Sequence, residues 1–152
     1  MIRHMRLADA VPVQGSPVRP PYDLTAFLGV WINVNPHTTG IARLDVSSTD
    51  QGLRLTTHAL GHNGMISWGA VEDITPFASS STSTKAAGFE ATYDFGFVEV
   101  RLQGNLNKGL LVLASYSRFK DGSGRVNYFT REYFSSVASD RYAPGAAGPQ
   151  ET

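Results

Sequence analysis

The feature that most constrains this chain is a repeating one. From residue 29 to residue 135, short runs of β-branched and aromatic residues alternate with polar ones, and each run is bounded by glycine, asparagine, aspartate or serine. Eight such runs are legible, at about 29–35, 40–47, 53–60, 66–75, 86–95, 97–103, 109–119 and 125–135. The breaks between them carry turn chemistry, as in Asp50-Gln51-Gly52, Gly61-His62-Asn63-Gly64 and Asp121-Gly122-Ser123-Gly124. Only 78–85, ASSSTSTK, reads as a looser loop. Connections this short make each strand antiparallel to the next, because parallel neighbours need crossovers of about a dozen residues or more. With no long helix to cover either face, such a meander must stack on itself or close, and closure removes the exposed edges. The expected fold is all-β: an eight-stranded antiparallel up-and-down barrel, with room inside for packed side chains or for one small ligand.

The flanks differ from this middle. Residues 1–21 hold Pro12, Pro17, Pro20 and Pro21 without any sustained period, and are expected to form an extended leader, either a tail or a flap over the barrel mouth. Asp23 to Leu28 offers one helical turn before Gly29 releases the chain into the first strand. The barrel is expected over 22–135, followed by a mobile tail at 136–152. A chain of 152 residues suits one domain. Lysine plus arginine equals aspartate plus glutamate at 13 each, so no excess charge draws it to nucleic acid or to an anionic membrane. The expected partner is a small hydrophobic molecule. The absence of cysteine excludes disulfides, thiolate metal sites and cysteine nucleophiles. The leader lacks the apolar core of a secretory signal, and no run approaches the roughly 18 apolar residues of a membrane span. The expectation is a cytoplasmic protein, monomeric or homodimeric.

Gly29-Val30-Trp31, at the start of the first run, resembles the G-x-W mark of lipocalins and related calycin barrels. The resemblance implies that Trp31 closes the base of a lipocalin-like barrel and that an arginine on the last strand packs across its ring; Arg131 is the arginine in that run. A guanidinium over an indole gains cation–π energy while its donors bond strand-end carbonyls. With Asn33, the longer G-x-W-x-N is also similar to the start of avidin-type barrels, where that asparagine faces the ligand. Avidins box in biotin with several tryptophans, and here only Trp68 remains besides Trp31, which weighs against biotin.

Alternation then assigns side chains to faces. Trp31, Asn33 and Asn35 share one, so Asn33 and Asn35 are candidate ligand contacts; the competing reading of Asn33 is a hydrogen bond to the neighbouring turn. Phe89, Ala91, Tyr93 and Phe95 share another, with Phe89 and Tyr93 inward. In the seventh run Val112, Ala114 and Tyr116 lie opposite Leu111 and Leu113; in the last, Tyr128, Thr130 and Glu132 lie together. Inward Tyr93, Tyr116 and Tyr128 would line a cavity with apolar bodies and reachable hydroxyls, or simply fill the core. Trp68, grouped with Ile66, Ala70 and Glu72, is expected to overhang the mouth. Glu132, on a tyrosine-bearing face, is a candidate proton donor or acceptor. His58 is the one histidine inside a run, a candidate acid or base held in reserve, because parity groups it with Arg54 and Thr56 on the outer side. No histidine pair has metal-ligand spacing on one strand face, so no metal and no cofactor is expected. No nucleotide-binding glycine motif or Ser-His-Asp order occurs either.

Two functions fit. As the resemblance implies for some lipocalin-like proteins of natural-product pathways, the barrel would catalyse cyclisation, dehydration or isomerisation of a largely apolar, polyketide-like substrate. Confinement would supply most of the rate, with Tyr93, Tyr116 and Glu132 handling protons and His58 in reserve. Alternatively, the same cavity only binds or carries its ligand.

Overall fold

The computed structural model of the chain describes residues 5–11 and 21–137. These form nine strands and two short 3₁₀ turns, at Leu7–Asp9 and Thr25–Phe27. The strands are β1 (Gly29–Asn33), β2 (Ile41–Thr49), β3 (Gly52–Gly61), β4 (Gly64–Val71), β5 (Thr75–Ala78), β6 (Ala86–Asp94), β7 (Val98–Asn107), β8 (Leu110–Phe119) and β9 (Tyr128–Ser136). The expected run at 66–75 is two strands rather than one. Residues 72–74 leave the ladder between them, and Pro76, which has no N–H to donate, sits on β5 at the edge of the sheet.

All pairings are antiparallel, in the order β4-β3-β2-β1-β9-β8-β7-β6-β5. Because β1 pairs with both β2 and β9, the two ends of the meander are joined. The ladder is interrupted between β4 and β5, which are consecutive in the chain, so the sheet is one curled antiparallel sheet with an open seam. Curling brings one face of every long strand into a common core. Trp31, Leu44 and Leu55 from one half meet Phe89, Leu102, Leu111 and Phe134 from the other.

One end of this core is sealed by the segment ahead of β1. Asp23 forms a parallel bridge with Lys85, Asp23 Oδ1 accepts a hydrogen bond from the Thr25 N–H at 3.0 Å, and the resulting turn drives Phe27 fully out of solvent. Phe27 packs edge-on against Phe89, with centroids 5.3 Å apart, and its carbonyl accepts the Trp31 Nε1–H at 2.9 Å. Trp31 is thereby buried without an orphaned indole donor. The packing near Phe89 also explains a glycine. Gly104 stands opposite Phe89, where an added Cβ would lie 2.5 Å from the ring.

Residues 1–4, 12–20 and 138–152, which include most of the expected leader and tail, lie outside the described residues. No helix among the described residues is long and apolar enough to cross a membrane.

Candidate functional site

The interior is packed at the Phe27 end and hollow at the other. A cavity of about 730 Å³ opens to solvent between β4 and β7–β9. That size falls within the roughly 300–1,000 Å³ of small-molecule sites. Its walls differ in chemistry. Ile66, Trp68, Phe95 and Phe97 form an aromatic side, Val98 and Val100 an aliphatic one, and Ser115, Ser117, Thr130 and Glu132 a polar stripe. Register orders that stripe by depth: Tyr128 faces Ser117, Thr130 faces Ser115, and Glu132 faces Leu113, which belongs to the core. Glu132 is thus at the deep end, where its Oε2 accepts the Thr38 hydroxyl at 2.7 Å. At the rim, the Arg125 guanidinium lies 4.4 Å from the Phe119 centroid and 5.4 Å from that of Phe97. Arg125 also donates to Asp121 at 2.7 Å; hydrogen bonds from Ser123, then those from Arg125, hold the Asp121 carboxyl down to about 2.

The seam shapes the aromatic wall. Across β3 and β4, Thr56 faces Ala70 and His58 faces Ser67, so Trp68 and Gly69 together oppose Thr57. This is a β-bulge, made possible by Gly69 at φ +89°. It turns Trp68 inward and moves the following residues by one parity. Ile66 and Trp68 therefore share the inner side with Val71, not with Ala70 and Glu72 as strict alternation predicts. The bulge also takes Thr57 and Gly69 out of the β3–β4 ladder. Tyr93, reaching across from β6, fills the gap: its hydroxyl accepts the Thr57 N–H at 3.2 Å and donates to the Gly69 carbonyl at 2.7 Å. Its ring stacks on Phe95 at 5.7 Å and meets Trp68 edge-on at 5.4 Å. Burial, which outweighs the Thr57 hydrogen bonds, raises the Tyr93 hydroxyl above its ordinary value.

These positions separate the candidate residues. Glu132, Trp68 and Tyr128 line one cavity. Tyr93 is buried, but its hydroxyl is spent on backbone, with the Leu55 carbonyl at 3.4 Å besides Thr57 and Gly69, and serves as a structural staple. Phe89 is buried in the core on Phe27, away from the cavity. Asn33 is also buried, with both ends of its amide used: Nδ2 donates to the Ile41 carbonyl at 2.9 Å, and Oδ1 accepts the Asn35 N–H at 2.8 Å. It braces the β1–β2 turn and does not present itself to a ligand. Asn35 is exposed and caps the His37 N–H. His58 lies outward, 3.0 Å from Asp45 Oδ2 beside Arg43, in an outer-face ionic cluster.

Tyr116 is the clearest correction. It is 43% exposed on the outer face, stacked at 5.8 Å on its cross-strand partner Phe129. The inner residues of β8 are Leu111, Leu113, Ser115 and Ser117. The run is apolar on both faces near its start, which hides the parity there; Arg118, in step with Tyr116, is the signal that marks the outer side. Arg131 is likewise outside, lining a shallow groove with Tyr116 and Tyr133. Neighbours along a strand point to opposite faces, so an inward Glu132 forbids an Arg131 that covers the buried Trp31. Among the described residues, the cation–π contacts are those of Arg125.

Sequence reasoning missed Ser115, Ser117, Arg125 and Phe97, and gave Phe95, on the Tyr93 face, no role at the Phe95–Phe97 corner. The serines look like strand filler until the inner face of β8 is known. The corner looks like a turn, and only curling carries it over the cavity. No group of three or more His, Asp or Glu side chains suited to a metal occurs among the described residues.

No protein-family model matches this chain, and neither does any curated protein or solved structure.

Proposed function

We propose that the chain is a small-molecule-binding barrel of lipocalin-like form, with the unpaired seam between β4 and β5, that holds a compact, largely apolar ligand in its open end. The observation that carries this reading is the cavity of about 730 Å³, hollow at one end of a core sealed at the other by Phe27 and Trp31. An aromatic wall faces a polar stripe there, which is the mixture of apolar body and few oriented polar groups that such sites use. The G-x-W of β1 and the β1–β9 pairing support the likeness to lipocalin-type barrels.

Catalysis of a cyclisation, dehydration or isomerisation in a natural-product pathway is the second reading, favoured by one observation: the cavity's deep wall carries a carboxylate, Glu132. Tyr93 and Tyr116 do not join it. Confinement and one acid/base group are the machinery that remains.

The test uses the neutral fluorophore N-phenyl-1-naphthylamine. Saturable binding to the wild-type chain, weakened by Trp68→Ala and abolished by the cavity-filling Val100→Trp, is the expected result. Binding that ignores both substitutions would place the ligand elsewhere. Mass spectrometry of whatever co-purifies then supplies a substrate for turnover assays; a ligand returned unchanged, at the rate of buffer alone, removes the catalytic reading and leaves the binding one.

A further inference from the structure

The cavity contains two charged side chains among the described residues, and they are not equivalent. Arg125 at the rim is already matched: Nη2 is 2.7 Å from Asp121, Nε donates to Ser123 Oγ at 3.0 Å, and its face is covered by Phe119. Glu132 at the deep end has no cationic partner among the described residues. Its one hydrogen bond is from the neutral Thr38 hydroxyl to Oε2, which leaves Oε1 with its acceptor capacity unused. The groups that share its wall, Thr130 and Ser115, carry no charge. The outer ion pairs, by contrast, are complete: Glu72, Glu90 and Glu99 each have an arginine within 4 Å.

A half-buried carboxylate without a counter-charge is costly unless something else supplies one. The cavity it lines also carries the rings of Trp68, Phe95 and Tyr128, and aromatic π-faces attract cations. At the rim two other rings of the same cavity, Phe97 and Phe119, already hold a cation, because Arg125 lies over both.

Resting on the binding reading above, we propose that the ligand class is an amine: a molecule with an apolar or aromatic body and a protonated nitrogen, seated with that nitrogen at Glu132 Oε1. Ser115 and Ser117 then line one side of the ligand and the aromatic wall the rest. A carboxylate ligand of the same shape is repelled by Glu132, and a neutral alcohol keeps the hydrogen bond while losing the charge.

Three matched probes separate these cases: 2-phenylethylamine, 2-phenylethanol and 3-phenylpropionate. Each is titrated into the full chain at pH 7 by calorimetry and by displacement of N-phenyl-1-naphthylamine. The expected order is amine, then alcohol, then carboxylate, with the amine at least tenfold tighter than the alcohol and its advantage shrinking as salt is raised. Glu132→Gln should bring amine and alcohol within about threefold of each other while the fluorophore still binds. Thr38→Val, which frees Oε2, should keep the amine preference. An amine that binds no better than the alcohol, or a preference that survives Glu132→Gln, overturns the proposal and leaves the cavity reading intact. If neither the fluorophore nor the amine binds, both readings fail together. Should Glu132→Gln lower the folded fraction, the ranking of the three probes on the wild-type chain and its salt dependence decide the matter.

Discussion

Replacing Tyr93 by phenylalanine tests whether the seam is held as described. The substitution keeps the ring, and with it the stack on Phe95 and the edge contact to Trp68, and removes one oxygen. That oxygen satisfies the Thr57 N–H and the Gly69 carbonyl, both left without a β3–β4 ladder partner by the bulge. A buried polar group stripped of its partner costs about 1–3 kcal/mol. Thr57 is fully buried and bears this cost, whereas Gly69 is exposed and its carbonyl can turn to water. The net expectation is a loss of about 2 kcal/mol. For a folded unit of this size, roughly 3–6 °C of melting temperature corresponds to each kcal/mol, so the midpoint should fall by roughly 6–12 °C in a thermal scan followed by circular dichroism. Amide exchange at Thr57 should accelerate more than exchange in β7 or β8, because the seam opens first. A midpoint within about 2 °C of wild type, with Thr57 exchange unchanged, would refute the staple and return the hydroxyl to the pool of candidate chemistry.

Three further outcomes follow from the same packing. Tyr116→Phe, on the outer face, should leave fluorophore binding unchanged and stability within about 0.5 kcal/mol by denaturant titration. A loss of binding would mean that the outer groove, not the interior, is the site. Gly104→Ala should destabilise by about 1–3 kcal/mol, since its Cβ would stand 2.5 Å from Phe89 Cε2 and the buried ring would have to shift. Acid should act through the aspartates. Burial pushes Asp45 up, but hydrogen bonds from Arg43 and His58 and their charges bring it below its ordinary 3.8; Asp94 and Asp121 are lowered too. A carboxyl depressed by folding adds stability above its unfolded value and loses it as the pH falls through the folded one. Denaturant midpoints should therefore decline as the pH drops from about 4 toward 2, and Asp45→Asn should make that decline shallower. An unchanged slope in the variant would show that the outer cluster contributes nothing.

The eight alternating runs, their turn residues and the neutral charge balance already specify an antiparallel meander with one apolar face, because strand periodicity and short connections are local properties. Local alternation also suffices for His58, whose neighbours Leu55, Thr57 and Ala59 mark the opposite side as inner. It fails where a strand departs from a strict period of two or carries apolar residues on both faces. Tyr116 reads as inward because Val112 and Ala114 hide the parity that Arg118 reveals. Trp68 was grouped with Ala70 because nothing in GMISWGAV announces that Gly69 adopts a positive φ and bulges. Asn33 and Tyr93 have the chemistry of ligand contacts, and which atoms satisfy them depends on backbone brought from other strands.

The sequence by itself determined the all-β class and the antiparallel order of consecutive strands, but not that the run at 66–75 is two strands. Only the tertiary structure decided that the sheet stays open between β4 and β5 and that Tyr93 bridges the gap with its hydroxyl. It alone decided that Glu132 faces a hollow in which, among the described residues, no cation stands beside it. The reason is physical: hydrogen-bond satisfaction and charge pairing inside a curled sheet are settled between residues tens of positions apart, and no local pattern records which of them meet.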